Sequence, residues 1–448
     1  MTKINIRLFW GFWVVAAALW LVLNPEIFAA TSVFGLRAPM MQFSGVLAIA
    51  AMSVAMILSL RPRWLEVRVD GLDKMYRLHK WLGIGALGLA VFHWLWSEVP
   101  KWAIGLGLLE RPARGARSEI TDPIQEFLTG FRGTAEGLGE WAFYGIVILL
   151  LIALIKMIPY TYFRYSHRLM PVVYLVLVFH SVILMDYAMW TTPLGVALVL
   201  LMLPGSYAAL VSIFGRIGAG LRVPGEITEM HNYPGVHSLE TVIRLGKGWQ
   251  GHQAGQFAFV TSSAVEGAHP YTIASAWSPK DPQVTFVSKE LGDHTTGLVD
   301  RLKLGQKVTV EGPYGRFTFD DGLPCQIWIG AGIGITPFLA RLKEMATVSP
   351  EGARPEIHLF HTTREVDEAA LERIAEDARA AKVRLHLLID ARDGRLTGQR
   401  IRDAVGNWRE ASLWFCGPSK FGAALRTDFA ARGFPTDERF HQELFELR

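Results

Sequence analysis

The chain has 448 residues, of which 51% are hydrophobic and 19% are charged. This length predicts two or three domains, and the apolar residues, which concentrate before about residue 215, predict a membrane half followed by a soluble half. The formal net charge of +4 comes without a basic block, which disfavours nucleic-acid binding. The two cysteines, Cys325 and Cys416, cannot build a disulfide framework or a zinc site, and free thiols suit the cytoplasm.

Six apolar segments reach the length of about 20 residues that a bilayer span needs. They lie near 8–29, 40–60, 76–97, 140–158, 169–190 and 193–214. The first could be a signal peptide cleaved near Phe28-Ala29-Ala30, but its length and tryptophans favour a retained anchor. Basic residues follow the second, fourth and sixth spans, at Arg61, Arg63, Arg68, Lys74, Arg77, Lys156, Arg164, Arg168, Arg216 and Arg222. The positive-inside rule therefore predicts cytoplasmic termini and an outer loop at 98–139.

Four of the 13 histidines lie in these spans, and they occupy the third and the fifth: His79 and His93, then His167 and His180. An isolated histidine in a span could simply bond a helix carbonyl, but two matched pairs favour a function. His79 and His93 are 14 residues apart in the third span, and His167 and His180 are 13 residues apart in the fifth, which is about 20 Å along a helix. Both spans run outward, so His79 is level with His167 and His93 with His180. Each level offers the two imidazoles that six-coordinate haem iron requires.

Two points qualify this prediction of two haems. Thirteen residues do not return to the same helix face, so the fifth span needs a kink, which Pro171 could supply. The basic residues Arg77, Lys80, Arg164 and Arg168 could meet the propionates of an inner haem or could be ordinary interfacial charges. The sequence lacks Cys-x-x-Cys-His, which excludes covalent c-type haem. Two levels about 20 Å apart cannot share one tetrahedral zinc site, so b-type haem is the prediction.

The six spans with histidine pairs on the third and fifth resemble the ferric reductase and NADPH oxidase superfamily across the whole membrane half. We therefore predict three domains: a transmembrane haem domain at 1–220, a FAD-binding β-barrel at 221–322 and an α/β doubly wound NAD(P)-binding domain at 323–448.

The barrel is predicted from short alternating strands separated by turns, at Leu239–Leu245, Gly255–Ser262, Gln283–Lys289 and Gln306–Glu311. The segment from His269 to Ser275 resembles the flavin signature of ferredoxin-reductase-like enzymes in its His-Pro form. The resemblance implies that Tyr271 packs on the flavin ring, that Thr272 and Ser275 bond the flavin, and that His269-Pro270 replaces the arginine of soluble relatives. An ordinary strand with a buried tyrosine is the alternative.

Two glycine motifs follow at the family's usual distances, at Gly292-Asp293-His294-Thr295 and Gly312-Pro313-Tyr314-Gly315. Glycine lets backbone N–H groups approach a pyrophosphate closely. The resemblance also places Lys289 and Thr295 at the FAD phosphates.

From Cys325 onward, alternating strands and helices predict a parallel doubly wound sheet. Strands are expected at Gln326–Gly330, Glu356–His361, Val383–Asp390 and Ser412–Cys416, with helices at Phe338–Ala346, Ala369–Ala381, Gly398–Ala404 and from Phe421. The turn from Gly330 to Pro337, with Gly332, Gly334 and Thr336, lies between strand and helix, where nucleotide phosphates bind, and it resembles the nicotinamide-nucleotide turn of the same superfamily.

Cys416-Gly417-Pro418 matches the family's nicotinamide-side motif. The resemblance makes Cys416 and Thr272 candidate catalytic residues, with Cys416 shaping the hydride path and not acting as a nucleophile. A terminal aromatic covers the flavin in relatives, and Phe445 is the nearest candidate, although simple packing of the tail is an alternative. Arg364 is the first candidate for the 2′-phosphate of NADPH, which favours NADPH over NADH. Arg392 and Arg395 are rival candidates.

These parts predict a membrane enzyme of the inner (plasma) membrane that moves electrons from NAD(P)H through FAD and two b-type haems to a small acceptor outside the cytoplasm. A ferric chelate is the first choice of acceptor, and oxygen, giving superoxide, is the alternative. A haem-free anchored flavin reductase that serves a quinone or a partner protein is the competing class. A channel with a histidine proton path leaves the flavin motifs unexplained.

Overall fold

A computed structural model of the chain describes residues 3–110, 120–155, 157–292, 294–347 and 354–443. The chain divides into two compact units, the first ending at Ile217 and the second beginning at Gly218. Helices build the first unit, and two β-sheets with surrounding helices build the second.

The first unit contains the helices α1 Lys3–Leu23, α2 Val33–Ser59, α3 Arg63–Arg68, α4 Leu72–Gly105, α5 Pro123–Gly130, α6 Arg132–Leu154, α7 Tyr160–His167, α8 Met170–Leu184 and α9 Pro193–Ile213. Among the described residues, six stretches are long and apolar enough to cross a membrane: α1, α2, α4, α6, α7 with α8, and α9. Their number agrees with the six predicted spans. Their bounds differ by as many as eight residues, since α4 ends at Gly105 and not at 97, because helical hydrogen bonding continues past the apolar stretch.

Local chemistry sets the ends of these helices. Asn24 and Pro25 follow α1, and Pro25 lacks the N–H that a helix interior needs, so the first span ends earlier than predicted. The fifth span is interrupted between His167 and Met170, and Pro171 lies in the first turn of α8. The predicted kink is therefore a break between two helices, and His167 and His180 do not share one continuous helix.

The bundle packs around α2, which contacts α8 and α9. The hydroxyl groups of Ser53 on α2 and Tyr174 on α8 lie 2.9 Å apart in the buried interior. A Cβ at Gly205 on α9 would lie 2.3 Å from the Tyr174 hydroxyl. A small residue thus allows close helix approach and lets two buried polar groups pair with each other.

The first sheet of the second unit contains β1 Arg222–Tyr233, β2 Ser238–Leu245, β3 Phe257–Thr261, β4 Ala268–Thr272, β5 Gln283–Lys289 and β6 Lys307–Tyr314, with α10 Leu298–Arg301 before β6. The strands are antiparallel in the order β4-β3-β6-β1-β2-β5. The edge strands approach each other after β4, where the amide of Ala274 donates to the carbonyl of Thr285 at 2.7 Å. The predicted antiparallel barrel is confirmed, although β1 was not predicted, because its glutamates and Pro224 interrupt the apolar alternation.

The second sheet contains β7 Cys325–Ala331, β8 Glu356–Thr363, β9 Arg384–Ile389, β10 Ser412–Cys416 and β11 Phe440–Gln442. Its helices are α11 Thr336–Thr347, α12 Glu368–Ala380, α13 Asp390–Asp393, α14 Gly398–Ala404, α15 Ser419–Ala430 and α16 Thr436–Arg439. All strands are parallel in the order β11-β10-β7-β8-β9, which confirms the doubly wound sheet. The order reverses between β7 and β10, and ligands bind such sheets at the carboxyl ends of the strands at this switch point.

Candidate functional site

The membrane unit brings the four span histidines together as two pairs. The ring centres of His79 and His167 lie 6.1 Å apart with planes at 69°, and those of His93 and His180 lie 6.2 Å apart at 75°. The pairing by level is the one that the spacing predicts. A metal would bond one nitrogen of each ring at about 2 Å, and that nitrogen lies about 1.1 Å from the centre of its ring. The two ring centres would then be about 6 Å apart. The spacing therefore fits two bis-imidazole metal sites.

Backbone carbonyls orient three of the four imidazoles. The Nδ1 of His79 lies 2.9 Å from the carbonyl of Ala55 on α2, that of His93 lies 2.9 Å from Met41 on α2, and that of His180 lies 2.8 Å from Ala135 on α6. A carbonyl only accepts hydrogen bonds, so Nδ1 carries the hydrogen and Nε2 keeps the lone pair that binds a metal.

The fourth histidine differs from the other three. The Nδ1 of His167 is buried and makes no hydrogen bond within the part of the chain that the structure describes. Beside it, the guanidinium groups of Arg164 and Arg168 lie over the ring of Tyr165, at 5.0 and 5.5 Å from its centre. Both arginines are neighbours of His167 in the chain, and their contact with a haem propionate stays a prediction.

Two glycines face the outer imidazoles. A Cβ at Gly139 on α6 would lie 2.0 Å from Nδ1 of His180, and a Cβ at Gly45 on α2 would lie 3.3 Å from Cε1 of His93. The rings therefore occupy space that a larger residue would fill. Sequence reasoning missed both glycines, because periodicity does not show which glycine faces an imidazole.

A cavity of about 750 Å³ opens beside the outer pair, with His93 and His180 on its wall. Apolar side chains from α2, α4, α8 and α9 line it together with six charged residues: Arg37, Glu98, Lys101, Arg132, Glu136 and Glu140. Two ion pairs join these charges, Lys101 with Glu98 at 2.5 Å and Arg132 with Glu136 at 3.0 Å. A cavity with imidazoles on its wall and with both apolar side chains and cations in its lining suits a haem, whose ring is apolar and whose propionates are anionic.

The second unit contains a cleft of about 1080 Å³ between the barrel and the switch point of the parallel sheet. Twelve predicted site residues line it: Pro270, Tyr271, Thr272, Lys289, Thr295, Gly332, Gly334, Thr336, Arg364, Cys416, Gly417 and Pro418. They come from motifs separated by up to 148 residues in the chain, as Pro270 and Pro418 show. The fold thus joins the flavin signature and both nucleotide-domain motifs at one surface.

The loops after β7 and β10 meet backbone to backbone. A Cβ at Gly334 would lie 2.2 Å from the carbonyl oxygen of Cys416, and one at Gly417 would lie 2.7 Å from the Cβ of Ala331. Gly332 adopts a φ of +56°, which L side chains disfavour. Glycine is thus required at this end of the cleft, where it leaves the main chain accessible.

The flavin signature contributes one face of the cleft. Thr272 is buried, and the hydroxyl of Tyr271 lies 2.8 Å from Nε2 of His294. His269 does not line the cleft, since its ring stacks on that of His294 at 3.4 Å. Ser275 also lies outside the lining, where its Oγ accepts a hydrogen bond from the amide of Thr285 at 3.0 Å.

The remaining predicted residues lie behind this surface or outside the described residues. Gly292, Gly312, Gly315, Gly330 and Pro337 do not line the cleft. The Gly292 carbonyl accepts from the amide of Thr295 at 3.0 Å, so its role is to close the turn that presents Thr295. Asp293 and Phe445 lie outside the described residues.

Acidic residues that the sequence analysis did not single out accompany the predicted cations. Lys289 forms an ion pair with Glu365, and this pair lowers the pKa of the Glu365 carboxyl. Arg364 is 76% exposed and lies 3.4 Å from Asp390. Arg395 also lines the cleft, whereas Arg392 pairs with Asp393 at 3.0 Å. Arg364 and Arg395 are therefore better placed than Arg392 to meet a bound phosphate.

Cys416 lies fully buried at the carboxyl end of β10. Burial raises the pKa of the Cys416 thiol, and the nearby charge of Glu443 raises it further. The thiol is therefore neutral at physiological pH, which fits a residue that shapes the site and does not attack as a thiolate. Glu443 also lines the cleft and is buried. The sequence analysis missed it because its position depends on the pairing of β11 with β10.

Comparisons with known proteins give a separate family match in each of the two units. The family model "Ferric reductase like transmembrane component" matches residues 44–178, and the model "FAD-binding domain" matches residues 238–318. The chain is 30% identical over 175 residues to an NADPH oxidoreductase of Mycobacterium tuberculosis, covering 39% of this chain and 45% of that protein. It is 26% identical over 202 residues to the reductase component of propane 2-monooxygenase of Mycolicibacterium smegmatis, covering 42% and 57%.

A third relative is respiratory burst oxidase homolog protein F of Arabidopsis thaliana, which is 27% identical over 212 residues, covering 41% of this chain and 21% of that protein. The chain thus spans about half the length, or less, of these curated relatives. Six apolar helices and the transmembrane family model identify a multi-pass membrane protein. With a match to the transmembrane component followed by a match to a FAD-binding domain, the chain is similar to the ferric reductase and NADPH oxidase superfamily in both halves.

Proposed function

We propose that the protein is a transmembrane NAD(P)H oxidoreductase that transfers electrons from the cytoplasm to a small acceptor on the other side of the membrane. In this proposal the chain has a haem domain at 1–220, a FAD domain at 221–322 and an NAD(P) domain at 323–448. One observation carries it above the others: the span histidines form two pairs, each about 6 Å between ring centres. His79, His93 and His167 lie within residues 44–178, which match the transmembrane component, and His180 lies just beyond them.

Two b-type haems would be held by the four span histidines. His79 and His167 would ligate the inner haem, and His93 and His180 the outer one. The carbonyls of Ala55, Met41 and Ala135 hold three of these rings in the tautomer that leaves Nε2 free to bind iron.

The cleft of the second unit would hold FAD and the nicotinamide nucleotide. Tyr271 and Thr272 face the flavin ring, and Lys289 and Thr295 lie where its phosphates would be. The amides of the Gly332–Gly334 turn, before α11, meet the phosphates of the nucleotide. Arg364 meets the 2′-phosphate, which favours NADPH over NADH. The neutral Cys416 closes the nicotinamide end without reacting.

When bound, the flavin accepts hydride from the nicotinamide and the haems carry the two electrons outward one at a time, while the hydride's proton returns to the cytoplasm. The basic loops support cytoplasmic termini in a protein of the plasma (inner) membrane. An electron leaving an inside-negative compartment gains about 2.3 kcal/mol per 100 mV, so the membrane potential assists this direction.

A ferric chelate is the first choice of acceptor. Arg37 lines the outer cavity and suits an anionic chelate, whereas the cations Lys101 and Arg132 are paired with Glu98 and Glu136. Oxygen is the second candidate, because two respiratory burst oxidase homologues of Arabidopsis thaliana are among the relatives. Purified protein with NADPH separates the two: superoxide formation without iron would favour oxygen, and iron-dependent oxidation without superoxide would favour the chelate.

A competing class is a haem-free anchored flavin reductase that serves a quinone or a partner protein. One measurement separates it from the proposal. Full-length protein expressed with ample haem precursor should give a reduced-minus-oxidised spectrum of b-type haem equal to two haems per chain. A well-folded protein that binds FAD but shows no haem band would contradict the proposal and leave the competing class.

A further inference from the structure

A group of charged and aromatic side chains lies behind Tyr271, outside the cleft that Tyr271 lines. It consists of Glu266, His269, His294 and Arg301, and we call it the Tyr271 support. Nε2 of His294 lies 2.8 Å from the hydroxyl of Tyr271, and Nδ1 of the same ring lies 2.9 Å from a carboxylate oxygen of Glu266. A single imidazole thus connects a ring in the cleft to a carboxylate behind it.

The chemistry of these groups gives the connection a direction. A carboxylate carries only acceptors, so Glu266 favours the hydrogen on Nδ1 of His294 and leaves Nε2 as an acceptor. With the ring of His294 neutral, the Tyr271 hydroxyl donates to Nε2. Burial raises the pKa of the Tyr271 phenol, and the charge of Glu266 raises it further. The phenol therefore keeps its hydrogen at any physiological pH and remains a donor.

Two further contacts hold the imidazole from its other sides. The ring of His269 stacks on that of His294, with centres 3.4 Å apart and planes 3° apart. Arg301 lies 2.5 Å from Glu266 and also donates to the carbonyl of His294. The side chains of His294 and Glu266 are 17% and 29% exposed. The imidazole plane is thus fixed by stacking and by polar contacts, so its nitrogen defines where the phenol oxygen lies.

We infer that His294, oriented by Glu266, is a positioning residue for flavin binding: it fixes the position of the Tyr271 ring against the isoalloxazine. Rotation of Tyr271 about its Cα–Cβ bond would swing the hydroxyl end of the ring, while the ring itself packs near Phe286, whose ring centre is 6.0 Å away. The hydrogen bond to His294 defines that end. This inference rests on the proposed binding of FAD in the cleft.

The test uses full-length protein in detergent, stripped of FAD and titrated with FAD alone. Tyr271→Phe removes the hydroxyl but keeps the ring, and His294→Phe keeps a ring for His269 but removes the acceptor. Each variant should weaken FAD binding by between about twofold and tenfold and should change the visible circular dichroism of the bound flavin. Because both changes break the same bond, the double variant should bind FAD no more weakly than either single variant.

Glu266 provides the conservative comparison. Glu266→Gln keeps an oxygen beside Nδ1 of His294 and should retain the wild-type affinity, whereas Glu266→Ala should behave like His294→Phe. His231→Phe, which replaces a half-exposed imidazole on β1, is the matched control and should leave both readouts unchanged.

Additive losses in the double variant, or an unchanged flavin spectrum in His294→Phe, would overturn the positioning role while FAD binding by the wild type stands. A wild-type protein that takes up no FAD, with its haem spectrum intact, would instead overturn the proposed flavin site itself. The haem bands of every variant report independently that the membrane unit has folded.

Discussion

The two units of this protein concentrate their candidate chemistry in different ways. In the membrane unit it lies in four imidazoles, three of them oriented by one backbone carbonyl each. In the second unit it is distributed over more than twenty side chains and loop segments around one cleft. A metal with two protein ligands loses its site when one ligand is removed, whereas a nucleotide held by many contacts loses affinity in steps. Substitutions should therefore act in an all-or-none way in the membrane and in a graded way in the cleft.

The largest effect is expected from His180→Ala. This change removes one ligand of the outer pair, so the outer haem should be lost and the haem absorbance should fall by about half. Reduction of external acceptors should fall to background, whereas reduction of a soluble dye by the flavin half should continue. Difference spectra and the two activity assays on the same preparation measure this.

His231→Ala is the control for this experiment, since His231 is a half-exposed histidine of β1. It should leave spectrum and activity unchanged. Intact reduction of external acceptors in His180→Ala would break the assignment of the outer pair, and with it the all-or-none side of the comparison.

Gly139→Ala should come next. The added methyl group would lie 2.0 Å from Nδ1 of His180 and would displace the ring from the carbonyl of Ala135. The outer haem should then bind weakly, with its band reduced or shifted, while the inner haem stays. Gly145→Ala on the same helix is the matched control, because its methyl group would meet only Val173 at 4.0 Å. Equal haem spectra in the two variants would contradict the close packing at Gly139.

His180 and Gly139 also show what the sequence predicts and what it does not. The histidines were identifiable because ionisable groups are rare in spans and their spacing sets two levels. Gly139 was not, because a glycine that faces a ring and one that faces lipid look alike in a sequence. The same limit explains why Glu365 and Glu443 were missed: their places depend on contacts between distant segments. The alternating strands, by contrast, carry local signals, and β10 and α14 have the predicted bounds.

In the cleft, Gly334→Ala should have the largest effect. Its methyl group would clash with the carbonyl oxygen of Cys416 at 2.2 Å, and neither backbone can move without disturbing a strand end. We expect NADPH-dependent dye reduction to fall by about tenfold or more, which corresponds to about 1.4 kcal/mol, with FAD and haem content retained. Gly406→Ala, with nothing within 4 Å of the new methyl group, should be silent. Loss of haem in Gly334→Ala would show that the effect is not confined to the cleft.

Acid should also destabilise the second unit. Burial lowers the pKa of both His252 and His361 to about 4, against about 6.5 in an unfolded chain. The unfolded state therefore binds more protons between pH 6.5 and 4, so the free energy of unfolding should fall by about 1.4 kcal/mol per pH unit for each histidine in this window. Above pH 6.5 the free energy of unfolding should not depend on the protonation of these two histidines.

Thermal release of FAD at a series of pH values measures this loss. His252→Gln keeps a donor to the Ser275 carbonyl, which lies 3.1 Å from Nε2 of His252. It should reduce the slope of stability against pH by about half. His231→Gln should leave it unchanged. A pH profile that is flat from 6.5 to 4 in the wild type would contradict the buried neutral state of both histidines.

The smallest effect is expected from Arg364→Ala, and it tests the graded side of the comparison most directly. Arg364 is 76% exposed and is shared with Asp390 at 3.4 Å, so water screens its contribution to binding a phosphate. The KM for NADPH should rise by about fivefold, because Arg395 lines the same cleft and keeps part of the positive charge. The KM for NADH should not change, since NADH lacks the 2′-phosphate. Arg392→Ala, whose guanidinium is paired with Asp393, should change neither value. An equal rise for NADPH and NADH would remove Arg364 from the 2′-phosphate site, and complete loss of NADPH activity would show that the cleft depends on a single side chain, as the haem pairs do.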